Sequence, residues 1–450
     1  MSYNSLMNKQ RILKALSDFI AIQSVSADSK RFSEIKEAVS FLKSKLADLG
    51  CNIQISKSGA KPPIIIGTKK VPRAGKTLGI YGHYDVQSED PISEWKNEPY
   101  KLTIKNGKLY GRGVADNKGH VIQNLTAIEE LILSKELKHN IIFLFEGEEE
   151  TGSEEFEKLM KKYRNTLSKA VVYFVTDVGM LAKHKPQILY GLRGLVYFEI
   201  EVSIGNTDLH SGVYGNSVFN PANVLADLFS KMKDVKTGEI LIPGLYDGLR
   251  KVPKEEIRLL MKSGETDKDL QKETGTHEVT SFRNIPAYIA PKIFPSLDIH
   301  GIITGYTGEG PKTVIPRKAT AKFSCRLVER QQPQKIEKLV MKFIKDTLPS
   351  GVKHTVKILS RDFPFYSSIN NEYIEKTAEI LSKHFRNDTV FSRSGGSVPA
   401  AEILQRLFEK PIILTGFTLP DDNIHAPNEN FDEEMFFAGI EALKKIYSQL

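Results

Sequence analysis

Cysteine is nearly absent from this sequence: only Cys51 and Cys325 occur in 450 residues, far apart and in different kinds of segment. That excludes a disulfide framework and suits a reducing compartment. Long apolar runs are missing as well, for no stretch reaches the ~18 residues that a membrane span needs. The N-terminal stretch MSYNSLMNKQRILKALSDFIAI has no continuous apolar core and no small-residue cleavage site. Its residues Ile12, Leu13, Leu16, Phe19 and Ile20 recur at helical spacing, so an amphipathic helix is expected there rather than a signal peptide. Blocks of like charge are absent too. The formal net charge is +8, yet the lysines are spread along the chain without a basic run of five or six. Positive charge spread in this way serves solubility and argues against a nucleic-acid or membrane partner. Cytoplasmic residence is the expectation.

What is present is the composition of a soluble globular protein, 40% hydrophobic and 26% charged, in a chain too long for one compact domain. Three apolar β-type runs come early: TLGIYGHYD (77–85), NIIFLFEG (140–147) and AVVYFVTD (170–177). Helical patterns separate them, NKGHVIQNLTAIEELILSK from Asn117 and SEEFEKLMKKYR from Ser153. Strands alternating with such helices build crossover units in an α/β sheet, and near-continuous apolarity implies a sheet covered on both faces. From about residue 193 the pattern changes. GLVYFEIEVSI and RKATAKFSCRLVE alternate apolar with polar residues, and helical segments fall near 221–233 and 333–347. This predicts an α+β domain whose sheet has one polar face. The charged stretch 244–280 carries no clear pattern. The tail NEYIEKTAEILSKHF, KPIILTGF and DEEMFFAGIEALKKIYSQL returns to the first style. The expected architecture is a two-domain α/β protein. A mixed, mostly parallel sheet domain is made of residues 1–192 and 362–450, with an α+β domain of residues 193–361 inserted.

The stretch EGEEETGS holds four glutamates in five positions, Glu146, Glu148, Glu149 and Glu150. Like charges so close repel, which asks for a neutralising partner. His83 and Asp85 end the first apolar strand, the glutamates follow the second, and Asp177 ends the third. Ligands of open α/β sheets bind at the carboxyl ends of strands, so these groups are expected to converge. Asp116, in the glycine-rich GRGVADNKG before a helix, and His425, in NIHAPNENF before the last helix, add to the set. Two histidines with several carboxylates are the ligand chemistry of a divalent metal site, imidazole suiting zinc and carboxylate suiting manganese or magnesium. Asp116, Glu150 and Asp177 with one hydroxide carry four negative charges, which two divalent cations would balance. Glu149 is then left as a free carboxylate, available as a base. Two further features stand apart. Arg326 shares the polar face of the strand AKFSCRLV with Lys322 and Ser324, as a solvated strand residue would. In SRSGGSVPAAEIL, Gly395, Gly396 and Ser397 precede a helix, which suits either an anion cradle or a simple helix-entry turn.

Taken together, GHYDVQ, GRGVADNKG, EGEEETGS, TDVG, DLHSGVYG and IHAPNE resemble the motif set of the M20 metallopeptidases. The nearest branch is that of the cytosolic non-specific dipeptidases and carnosinases, with which YGLRGLVYFEIEV, FPSLDIHGI, KTVIPRK and SGGSVP also agree. The resemblance covers most of the chain, in order. It implies a homodimeric enzyme that uses two divalent metal ions per subunit, Zn2+ or Mn2+, to hydrolyse the peptide bond of small peptides. The inserted domain becomes a lid and dimerisation domain. By position, Asp116 would bridge both ions, His83 and Asp177 would complete one site, and Glu150 and His425 the other. Asp85 would orient the His83 imidazole, and the peptide between Asp116 and Asn117 would be cis. Glu149 matches the general base. His210, in DLHSG, would reach across the homodimer to stabilise the oxyanion in the partner's site. Arg326 would hold the substrate's C-terminal carboxylate, with Thr313 of KTVIP and Ser397 in the same cleft. Two positions depart from the branch: Ser394 stands where carnosinases usually carry Glu, which bears on side-chain preference, and Glu148 stands where an apolar residue is common. An N-acyl amino acid deacylase of the same fold is an alternative. A non-catalytic peptide-binding protein is a remoter one, since such a protein would be expected to lack Glu149, Asp116 or His425.

Overall fold

A computed structural model of the chain describes residues 3–56, 59, 61–396 and 398–450. They form two compact units, one of Met1–Tyr190, Ser367–Ser392 and Val398–Leu450, the other of Gly191–Tyr366 with the short segment Arg393–Ser397.

The sheet of the first unit runs, in spatial order, Asn52–Ile55, Ile65–Lys69, Asn140–Glu146, Thr77–His83, Val172–Thr176, Ile412–Thr415 and Gln187–Leu192 among the described residues. The four strands from Asn140–Glu146 to Ile412–Thr415 are parallel, and the pairings outside them are antiparallel. The sheet is thus mixed around a parallel centre. Thr77–His83 pairs with Asn140–Glu146 from Thr77↔Asn140 to His83↔Glu146, so His83 and the glutamate run emerge at the same edge. Leu78, Ile80, Phe143, Phe145 and Phe174 of these strands are fully buried in one core with Val121 and Leu125 of the helix Lys118–Leu133 and Leu443 and Ile446 of the helix Glu433–Gln449. Burying each such side chain contributes about 1.5–3 kcal/mol. The helix Lys118–Leu133 is buried nearly all round, and its polar side chains Gln123 and Asn124 are hydrogen-bonded inside, to the Phe436 carbonyl and to Thr176 Oγ1. Gly119, in its first turn, lies where a Cβ would come 2.0 Å from the Val114 carbonyl oxygen, so only glycine lets the preceding loop, which carries Asp116, fold back onto the helix. The helix expected from Ser153 starts later, at Phe156, and is broken into Phe156–Lys162 and Arg164–Leu167. Gly152 and Ser153 have left-handed φ angles of 94° and 53°, which a helix start cannot use.

The second unit is built on a four-stranded antiparallel sheet in the order Ser296–Thr304, Lys318–Leu327, Gly194–Ser203 and Lys353–Asp362. One face packs against the helices Pro221–Met232 and Pro333–Thr347 through Val196, Phe198, Leu297, Phe323 and Cys325, with the Phe198 and Phe323 rings stacked at 4.8 Å. The opposite face carries the polar members of the alternation. The unpatterned stretch 244–280 contains the helices Lys254–Met261 and Asp267–Thr274, the second opened by a capping box of Thr266 and Asp269. No helix of the described residues is long and apolar enough to cross a membrane.

Candidate metal centre

At the carboxyl edge of the parallel strands the first unit gathers two donor sets that share one residue. His83, Asp116 and Asp177 form one, and Asp116, Glu150 and His425 the other, with the ligand atoms of each set within 4.8 Å of one another. The sharing is literal: His83 Nε2 lies 2.9 Å from Asp116 Oδ1, and His425 Nε2 lies 3.0 Å from Asp116 Oδ2. Asp177 Oδ1 is 3.4 Å from His83 Nε2, and Glu150 Oε2 is 3.2 Å from His425 Nε2. Each set offers one imidazole nitrogen and two carboxylate oxygens, which is a fitting donor set for a divalent cation such as zinc or manganese. The Glu150 Oε1 atom is buried without a hydrogen-bond partner, as a ligand oxygen would be.

The electrostatics ask for positive charge. Burial raises the Asp177 and Glu150 carboxyls above their usual range, and Asp116 adds to it. Burial also pushes Glu149 well up, with Asp177, Asp116 and Glu150 reinforcing it against the pull of His83. Hydrogen bonds to Asp116 and Glu150 lift His425 to about 10. Burial opposes protonation of His83, yet the facing Asp177, Asp116 and Asp85 raise it well above the normal imidazole value. Asp116 is likewise disfavoured by burial, but His425 and His83 hold it far below the carboxylate range. The surrounding carboxylates thus favour protons on both imidazoles. A coordinating imidazole is neutral, so cations of this chemistry would take the place of those protons.

Around the donors the sequence builds supports. Asp85 does more than face the His83 ring. Its backbone oxygen lies 3.1 Å and its Oδ1 3.3 Å from His83 Nδ1, while its carboxylate accepts from Ser26 Oγ at 2.7 Å and from the backbone N–H groups of Glu149 and Glu150 at 3.3 and 3.1 Å. One carboxylate therefore orients an imidazole and pins the glutamate turn. Asn117 donates to Asp177 Oδ1 at 2.6 Å and to the Thr176 carbonyl at 2.7 Å, and the Asp116–Asn117 peptide is cis. Gln87 donates to Glu150 Oε2 at 2.7 Å. The other two glutamates of the run have separate fates. Glu146 is 1% exposed, accepts from Tyr81 Oη at 2.6 Å, and is pushed by burial to about 8. Glu148 pairs with Lys61 at 3.4 Å.

One residue escaped the sequence reading. Glu429, four positions after His425, is fully buried, and its carboxylate accepts from Arg112 Nη1 at 2.7 Å and from the backbone N–H groups of Gly113, Ala115 and Asp116 at 3.0, 2.9 and 3.1 Å. It ties the loop of His425 to the loop of Asp116. Its only trace in the sequence is an acidic residue in the same short segment as the histidine.

The remaining expected residues belong to the second unit. His210 is exposed and its Nδ1 accepts from Gly212 N at 3.0 Å, capping the short helix Ser211–Tyr214. His210 pairs in register with Val314, which sets Thr313 beside it, and the Thr313 carbonyl accepts from Ser211 N at 3.1 Å. Arg326 lies half-buried on the polar face of the four-stranded sheet, opposite Ser296 and Leu195. Ser397 lies outside the described residues.

Comparison with known proteins adds an independent line. Residues 79–449 match the family model described as peptidase family M20/M25/M40. The chain is 31% identical over 455 residues to the Cys-Gly metallodipeptidase dug1 of Schizosaccharomyces pombe, covering 96% of this chain and 94% of that protein. It is 29% identical to the Beta-Ala-His dipeptidase of Mus musculus, covering 99% and 94%. Among solved structures, an M20 family metallo-carboxypeptidase from Sulfolobus solfataricus superimposes with a TM-score of 0.85 at 32% identity, covering 97% of this chain and 98% of the other.

Proposed function

The chain belongs to peptidase family M20/M25/M40 and is a metallopeptidase, and from that premise we propose that it hydrolyses the peptide bond of dipeptides with two divalent cations per subunit. One observation carries the conclusion: two donor sets share Asp116, with Glu149 beside them and outside both. His83 and Asp177 would hold one cation, Glu150 and His425 the other, and Asp116 both. Bound zinc or manganese would supply Lewis acidity, acidifying water and polarising the scissile carbonyl.

The chain's own residues do the rest. The Glu149 carboxylate takes the proton from the attacking water and delivers it to the leaving amine as the C–N bond breaks. Asp85 holds the His83 ring and the Glu149–Glu150 turn in place, so the base is aimed before substrate arrives. Arg326 pairs with the terminal carboxylate of the substrate, with Thr313 as a further contact. The enzyme works as a homodimer in which the partner subunit's His210 donates to the developing oxyanion. Two features support the dimer. His210 is exposed rather than buried in its own unit, and the sheet-edge strand Ser296–Thr304 presents Ile299, Ile302 and Ile303 to solvent at 44, 48 and 78% exposure. Cys51 and Cys325 are both free, which suits residence in the cytoplasm.

A second reading, removal of the C-terminal residue from longer peptides, is favoured by the likeness to the Sulfolobus carboxypeptidase. Dipeptides, tripeptides, longer peptides and N-acetyl or N-succinyl amino acids should be compared on apoenzyme refilled separately with zinc, manganese and cobalt. Dipeptides with free termini are expected to turn over fastest. Faster cleavage of longer peptides would establish the carboxypeptidase, and preference for acylated amino acids a deacylase.

A further inference from the structure

The polar face of the second unit's sheet holds another arginine beside Arg326. Arg193 stands immediately ahead of the strand Gly194–Ser203, in the stretch YGLRG. Ser296, Arg326, Leu195 and Asp362 lie side by side across the four strands of that sheet. Directly paired residues share a face, and so does a residue two positions along the strand. Arg193, two before Leu195, therefore continues the Arg326 face, opposite the core face of Val196, Leu297 and Cys325. Its Nη2 donates a 2.7 Å hydrogen bond to Ser296 Oγ. Ser296 is two strands away, with the Arg326 strand between. Neighbouring strands lie about 4.8 Å apart, so the Arg193 side chain must cross over the Arg326 strand to make that bond. Two guanidinium groups are thereby set next to each other.

Asp298 acts on Arg193 and Asp362 on Arg326, but neither closes on its arginine as an ion pair. Arg193 is 8% exposed, and its Nε is buried without a hydrogen-bond partner. Among the described residues no carboxylate lies at ion-pair distance from Arg193 or Arg326. Asp298 is engaged by Lys233 Nζ and Ser296 Oγ, each at 3.0 Å, and Asp362 accepts from Ser360 Oγ at 3.0 Å. The contrast within the same unit is Arg250 and Arg393, which both pair with Glu256 and Glu329. Burial, and then the Arg326 charge, lower Arg193 to about 10 against the weaker pull of Asp298. A buried cation with an idle donor beside a second cation is costly until an anion joins it.

We infer that Arg193 and Arg326 form a paired-guanidinium subsite for the substrate's carboxylate, Arg326 as the outer fork and Arg193 as the buried partner that shares the charge. The planar N–H edge of each group matches a planar two-oxygen anion. This rests on the assignment of Arg326 made above.

The test is calorimetric binding, to metal-loaded protein, of the free amino acid released from the best substrate of the panel and of its amide. Wild-type protein should bind the acid at least about tenfold tighter than the amide. Arg193→Met should weaken acid binding about tenfold and leave amide binding within about twofold. Arg326→Met should lose the same preference. If both variants keep the wild-type preference, the assignment of Arg326 falls and the inference with it. If Arg326→Met loses the preference and Arg193→Met keeps it, Arg326 stands and Arg193 is overturned. Should Arg193→Met fail to fold, Arg193→Lys decides: it keeps the charge without the fork, so a preference reduced about threefold or more supports the pair and an unchanged one rejects it.

Discussion

Glu149 and Glu150 are neighbours in the chain and differ in what holds them. Glu150 Oε2 faces His425 and Gln87, whereas the Glu149 side chain makes no hydrogen bond among the described residues and belongs to neither donor set. A free carboxyl beside the two proposed cation sites is placed to move a proton rather than to ligate. Glu149→Ala should therefore leave bound metal, measured by elemental analysis, near the wild-type level while kcat falls by roughly 10²-fold or more. Activity that persists, or metal that is lost, would remove it from the role of base. At this scale the sequence was informative about identity. The side chains it marked, His83, Glu150 and Asp177 after strands and Asp116 and His425 in loops before helices, are the ones the fold brings together. Glu146 and Glu148 have other partners, Tyr81 and Lys61, and the burial that raises the Glu146 carboxyl is reported by no local pattern.

The elements matter through their ends. Parallel register delivers His83 and Glu146 to one edge, and two loops, 111–116 and 423–429, close over it. Glu429 joins those loops by accepting three backbone N–H groups and the Arg112 guanidinium in a buried setting. Removing its charge leaves Arg112 buried and unpaired, a loss on the order of 3–5 kcal/mol. Glu429→Gln should lower the unfolding midpoint accordingly and weaken metal affinity roughly 10-fold or more in a competitive chelator titration. Wild-type metal affinity in a destabilised Glu429→Gln protein would show that the carboxylate serves the fold alone. Most elements were readable because apolar periodicity is local: the strands at 77, 140 and 172 and the helices at 118, 372 and 433 begin within two residues of where their patterns place them. The exceptions have local causes as well. Left-handed backbone at Gly152 and Ser153 delays a helix, and the helices in 244–280 are only eight residues long, too short for a repeating apolar period to stand out.

For the whole molecule, the decisive question is whether a second copy completes the site. His210 sits in the second unit, exposed and capping a single turn. His210→Ala should lower kcat by an order of magnitude or more, as loss of an oxyanion donor does. Mixing it with Glu149→Ala under conditions of subunit exchange should restore part of the activity, since one hybrid site then has both groups. Demonstrated exchange without recovery would rule out action across the dimer. The sequence by itself determined the residue types, the strand ends that bear them and the two styles of sheet, because each is written in short-range periodicity. Only the tertiary structure decided which groups meet. Asp116 shares its two oxygens between residues 33 and 309 positions away, Glu429 cradles a loop more than 300 residues before it, and Arg193 crosses a strand to reach Ser296. Such meetings follow from long-range register and burial, which set distance and charge balance and leave no period in the chain.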